Sequence, residues 1–290
     1  MQLMRLSDGR DLEYEISGPE VGPVVLVHHG MPGSAVPMGT ILDPLIERGY
    51  RMLTYSRAGH GESTPSPGRT VADSARDCGQ LLDRLGISEY LSFGWSAGGP
   101  HALASAAVDA GRVVGVLTSA SFAPFNAPGL DFIGGMGVQN QISFRSVERG
   151  EQAMREVIDS MSAAMLGTQP EGVADELNSV LPDVDVAAMQ SAFGVENAVS
   201  VDHALRLGNE GWVADLAALT RPWGFDLDEI KAPVELWHGD LDKMVPLAHG
   251  KWLASNLNNV VSHLEAGHGH LSLTVDNLGR MLDLLASRAR

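Results

Sequence analysis

The chain is poor in the residues that staple, ground or anchor a protein. Cys78 is its single cysteine, so no internal disulfide can form, and no C-x-x-C or Cys/His cluster stands at the spacing of a structural zinc site. Positive charge is scarce: 20 Lys and Arg against 36 Asp and Glu leave a formal charge of −16. Such a surface repels phosphate backbones and anionic lipid, which argues against nucleic acid and favours uncharged or cationic partners. Long apolar runs are missing as well. The first segment turns polar by Ser7, short of a signal peptide, and no stretch reaches the ~18 apolar residues that span a bilayer. A protein of the reducing cytoplasm without membrane contact is expected. There is no G-x-x-x-x-G-K-[ST], and Gly59-His60-Gly61 lacks the third glycine of a dinucleotide fingerprint.

What is present suffices for a large core. The 290 residues are 44% hydrophobic, enough for one large domain or one domain with an insertion. Alternation from Met1 to Ile16, broken by Asp8-Gly9, predicts an antiparallel hairpin at the edge of a sheet. Short apolar runs of buried-strand type follow at 23–29, 50–56, 90–95 and 112–120, each separated from the next by room for a helix. Between them, Val71, Ala75, Cys78, Leu81, Leu82 and Leu85 share one helical face, and Gly98 to Val108 reads as a small, fully buried helix. This rhythm predicts an α/β fold with a mostly parallel central sheet, the N-terminal hairpin at its edge and flanking helices. It stops at Ser121 and resumes with strands at 233–240 and 259–267, a helix between them and a closing helix at 273–287. Residues 1–121 and 231–290 are therefore expected to form the core domain, and 122–230 an inserted helical cap packed as a lid.

One local pattern carries chemistry. Gly94-Trp95-Ser96-Ala97-Gly98 falls where an apolar strand meets a small-residue helix, the setting in which a tight turn lifts a serine Oγ out of a sheet. An idle serine in a glycine-rich turn is the plainer explanation; the strand and helix on either side favour a nucleophile. A serine that attacks a carbonyl needs amide donors for the oxyanion, and the N–H of Ala97 is the first candidate. The second is the N–H of Met31, because Gly30 reverses the chain and Pro32 and Gly33 delay any helix. Base and orienting acid should come from later strand ends, which offer Asp240 or Asp242 and His268 or His270. The H-x-H pair 268/270 lacks a third ligand for a metal. Arg57 and His60 are expected to brace their loop. An apolar pocket is expected from Trp95 and from Phe125, Met136, Met161 and Trp212, although a methionine stripe in an insertion also serves plain helix packing.

Together, HHGMPGS (28–34), YSRAGHGES (55–63), GWSAGG (94–99), WHGDLDKMVP (237–246) and GHGHLSL (267–273) resemble the α/β-hydrolase superfamily, in particular capped bacterial serine hydrolases grouped with esterases and cofactor-free haloperoxidases. The resemblance spans nearly the whole chain. It implies Ser96 as nucleophile, Asp242 as the acid and His270 as the base, acting without cofactor or metal on a small to medium uncharged ester or lactone. Perhydrolysis, or ligand sensing with little turnover, are the other activities it allows. It says nothing of oligomeric state. One departure stands out: relatives carry Asp-Arg where this chain has Ser56-Arg57, which touches only local bracing.

Overall fold

The computed structural model describes residues 1–166 and 181–289. β1 (Gln2–Arg5) and β2 (Asp11–Ser17) pair antiparallel across the Asp8-Gly9 turn, where Gly9 takes the positive φ of 87° that glycine adopts freely. Then come β3 (Val24–His28), α1 (Gly39–Ile46), β4 (Arg51–Tyr55), α2 (Val71–Leu85), β5 (Tyr90–Trp95), α3 (Gly98–Val108) and β6 (Val113–Ser119). Between β6 and the next strand lie α4 (Val138–Glu148), α5 (Glu151–Met165), α6 (Asp183–Met189), α7 (Ala192–Leu205) and α8 (Glu210–Leu219). The chain closes with β7 (Val234–Gly239), α9 (Leu247–Asn256), β8 (Val260–Glu265) and α10 (Ser272–Arg288). Of the expected insertion at 122–230, residues 167–180 lie outside the described residues.

The eight strands form one sheet in the order β1-β2-β4-β3-β5-β6-β7-β8, parallel except at β1/β2 and β2/β4. Because successive side chains on a strand point to opposite faces, the apolar runs feed two cores at once. Val116 joins the cluster built with Val71, Cys78 and Leu81 of α2, Leu103 of α3 and Leu253 of α9. Its neighbour Leu117 joins the other, with Leu45 of α1 and Leu278, Met281 and Leu282 of α10. Helix α2 keeps the boundaries its periodicity predicts because both ends are closed. Thr70 and Asp73 form a reciprocal capping box, and Gly86 takes the left-handed conformation just past the last turn. None of the helices among the described residues is long and apolar enough to cross a membrane.

The helices between β6 and β7 are tied to the sheet and its loops by polar contacts that are buried or nearly so. Ser34 Oγ donates to the Ser200 carbonyl of α7 at 2.9 Å, His203 of α7 meets Glu13 of β2 at 2.9 Å, and Asp215 of α8 pairs with Arg57 at 2.6 Å. All parallel strands run the same way, so the loops after β3, β5, β7 and β8 gather at one edge of the sheet.

Candidate active site

Ser96 sits in the turn from β5 to α3 with φ 57°, a left-handed conformation held by Ser96 N donating to Ser119 O at 2.9 Å. The glycines around it are steric necessities. A Cβ on Gly94 would stand 2.2 Å from the Gly98 carbonyl oxygen, and one on Gly98 would stand 2.0 Å from that of His28. Strand and helix thus approach more closely at this turn than any side chain allows, which gives the G-x-S-x-G spacing its physical meaning here.

Of the two acids at the end of β7, Asp242 is the buried one. Its Oδ1 accepts from the amides of Met244 and Val245, both at 2.8 Å, and its Oδ2 stands 2.8 Å from His270 Nδ1. The carboxylate therefore accepts a hydrogen bond from the Nδ1–H of a neutral imidazole, whose Nε2 is left unprotonated and without a hydrogen-bond partner among the described residues. Asp240 is exposed and caps the neighbouring loop, accepting from Gly267 N at 2.8 Å. His268 Nδ1 stands 3.7 Å from Asp276, away from both acids. Burial disfavours the charged form of His270, but the charge and hydrogen bond of Asp242, with Asp185 adding to them, outweigh it and raise its pKa above the usual 6.5. Behind the pair, His238 Nε2 donates to Val245 O at 2.7 Å and lies 3.6 Å from Asp242 Oδ2, and burial keeps this ring neutral by lowering its pKa.

Ser96 and His270 line the same cavity of about 80 Å³. Among the described residues its wall is otherwise mostly apolar: Met31, Trp95, Met165, Met189, Met244 and Leu271 contribute, and Asn197 is the one further polar side chain upon it. No hydrogen bond joins Ser96 Oγ to His270 among the described residues. Neither the Met31 nor the Ala97 amide donates to an acceptor among them either, so both N–H groups are uncommitted. Trp95 braces the histidine loop, Nε1 donating to His270 O at 3.3 Å.

The other expected pocket residues are placed differently. Phe125, Met136, Met161 and Trp212 belong to an apolar cluster that packs against Ala97 and Val245, and they are not on the wall of the Ser96 cavity. The methionines that do reach it, Met165 and Met189 of α5 and α6 and Met31 and Met244 of the loops, have no periodic feature that separates them from packing residues.

Two groups escaped the sequence reading. Asp215 of α8, fully buried, takes Arg57 Nε at 2.9 Å, Arg57 Nη2 at 2.6 Å, Arg69 Nη2 at 2.5 Å and His60 Nε2 at 3.0 Å. Arg57 also donates to the carbonyls of His29 and Gly30, at 2.6 and 2.7 Å, and so fixes the loop that carries Met31. Beside it Ser56 Oγ donates to Glu13 Oε2 at 2.7 Å, so a carboxylate from β2 stands next to position 56. The second is Asp185 of α6, which accepts from the His270 loop. A lone aspartate inside an insertion has no local pattern to mark it.

Residues 23–276 match the family model described as the alpha/beta hydrolase fold. A hydrolase of Bacillus subtilis strain 168, YcgS, is 28% identical over 265 residues, covering 91% of this chain and 89% of its own. A non-heme chloroperoxidase of Streptomyces lividans is 27% identical and covers 86% of this chain and 84% of its own. Among solved structures, a thermophilic esterase from Thermogutta terrifontis superposes with a TM-score of 0.68 at 19% identity over 100% of both chains, a likeness of fold.

Proposed function

The chain belongs to the alpha/beta hydrolase family, and from that premise we propose that it is a serine hydrolase acting on a small to medium, uncharged carboxylic ester or lactone. One observation carries the reading: a serine in a left-handed strand-to-helix turn shares a mostly apolar cavity with a histidine whose far nitrogen is held by a buried carboxylate. As Ser96 Oγ bonds to the carbonyl carbon, its proton passes to His270 Nε2, and Asp242 stabilises the imidazolium. The carbonyl oxygen becomes an oxyanion, for which the uncommitted amides of Met31 and Ala97 are the donors. Collapse breaks the bond to the alcohol, which leaves with the proton from His270. Water then repeats the two steps and frees the acid and the serine.

Among the described residues the wall of the cavity bears no carboxylate, lysine or arginine, which favours neutral substrates. Met165 and Met189 reach that wall from α5 and α6, which supports reading 122–230 as a cap over the site. The chloroperoxidase relative favours a second activity of the same acyl-enzyme, perhydrolysis, in which hydrogen peroxide replaces water. The test is turnover of p-nitrophenyl esters of increasing acyl length, with and without peroxide, by the wild-type protein and Ser96→Ala. A fall of on the order of 10³-fold or more in Ser96→Ala, together with a serine-reactive phosphonate found on Ser96 by mass spectrometry, is expected. Unchanged turnover in the variant would remove the reading.

A further inference from the structure

Asp185 of α6 has no solvent exposure and faces no lysine or arginine within ion-pair distance among the described residues. What surrounds it is the loop that carries His270. Its Oδ2 accepts from His270 N at 2.6 Å, and its Oδ1 accepts from Leu271 N at 3.0 Å, Ser272 N at 2.8 Å and Ser272 Oγ at 2.9 Å. Its two oxygens thus serve four donors from one turn of chain. These donors belong to the start of α10, whose own preceding residue, Leu271, supplies no side-chain cap. The first amides of a helix lack partners and lie at the positive end of its dipole, so a carboxylate there satisfies both demands at once. Here it arrives from a helix more than eighty residues earlier in the chain.

Two residues of the GHGHLSL motif acquire a reason from this contact. A Cβ on Gly269 would stand 2.3 Å from Asp185 Oδ2, so the loop closes on the carboxylate only with glycine at that place. Ser272 Oγ accepts from Gly269 N at 2.9 Å and donates its own O–H to Asp185, joining the two ends of the turn. The same short helix presents Met189 to the cavity shared by Ser96 and His270.

We propose that Asp185 is the positioning residue of the site, an anchor lent by the helices between β6 and β7 that holds the backbone of His270 where its ring can serve as base. The inference rests on the serine-hydrolase reading for its consequence in rate, though not for the contact itself. Other charged or titratable groups about His270 are Asp242 after β7, His238 of β7 behind it, and His268 and Asp276, which face one another. Asp185→Asn is the discriminating variant. Its amide retains an acceptor for Leu271 and Ser272 but sets an N–H against the N–H of His270, and it removes one negative charge from beside the ring.

The experiment compares wild type, Asp185→Asn, Ser272→Ala and Ser96→Ala by ester turnover across pH, by thermal melting, and by NMR titration of the His270 ring. For Asp185→Asn, kcat should fall about tenfold to hundredfold with KM within about twofold. The NMR titration and the acid limb of kcat should both move to lower pH. Ser272→Ala, which keeps the three amide bonds, should move the same quantities less, and it stands in if Asp185→Asn does not fold. A folded Asp185→Asn with unchanged kcat and an unchanged His270 titration overturns the inference, as does a loss of rate that only follows the unfolded fraction. Turnover that survives in Ser96→Ala overturns instead the hydrolase reading, and the NMR titration then still decides whether Asp185 positions His270.

Discussion

Two buried aspartate–histidine contacts of similar length among the described residues behave in opposite ways. His60 Nε2 lies 3.0 Å from Asp215, and His270 Nδ1 lies 2.8 Å from Asp242, with all four side chains almost wholly out of solvent. Burial disfavours the charged form of both rings. At His60 the attraction of Asp215 is opposed by Arg57 and Arg69, and the pKa ends below the usual 6.5; at His270 no guanidinium competes for Asp242, Asp185 adds to it, and the pKa ends above. Two arginines share one carboxylate at the first site, whose own acid is held well below the ordinary range by them in spite of burial. An Asp–His contact is therefore a lock or a base according to whether cations already claim the carboxylate.

The contrast breaks most sharply at the acids. Asp242→Asn should leave a folded protein whose kcat/KM on p-nitrophenyl esters is lower by on the order of 10⁴-fold, because the amide no longer accepts the Nδ1 proton and the ring loses its working tautomer. Asp215→Asn should act on the other quantity. It strands two buried guanidiniums, of which Arg69 Nε and Nη1 already lack acceptors, and urea unfolding should show a loss of about 3–5 kcal/mol. Equal losses of stability in the two variants would erase the distinction.

The smallest effect sharpens it. On the proposed mechanism Nε2 of His270 must be unprotonated to accept the serine proton, so the acid limb of kcat/KM should lie above pH 6.5 in the wild type, read from a pH–rate profile. The sign for stability is opposite. A raised histidine pKa stabilises the fold fully below 6.5, and that contribution is lost as pH rises through the folded value, so the proposed base would act where it stabilises least. His60, with its pKa lowered, should remain neutral through the same range in an NMR titration.

Legibility in the sequence followed the range of the forces involved. β3 to β7 and α2 coincide with their apolar runs and stripe, because a strand buried on both faces and a helix closed by Thr70 and Gly86 are determined by residues adjacent in sequence. The tight turn at Ser96 with its two glycines was legible for the same reason, since one turn contains the whole steric constraint. Asp242 against Asp240, two positions apart, was separable only by likeness to a family; in the fold, burial and the His270 contact separate them. The wall of the cavity was not legible. Phe125, Met136, Met161 and Trp212 have the same composition as a pocket, but which face of a helix meets a cavity depends on how α4 to α8 pack on the sheet domain. Asp185 and Asp215 were invisible because each is defined by donors from distant segments.

Ser96 itself has one more consequence. Holding an L side chain at φ 57° costs about 1–3 kcal/mol that glycine would not incur. Selection for thermal robustness alone would thus favour glycine at 96, and a descendant with no further need of the hydroxyl would be rewarded for discarding it.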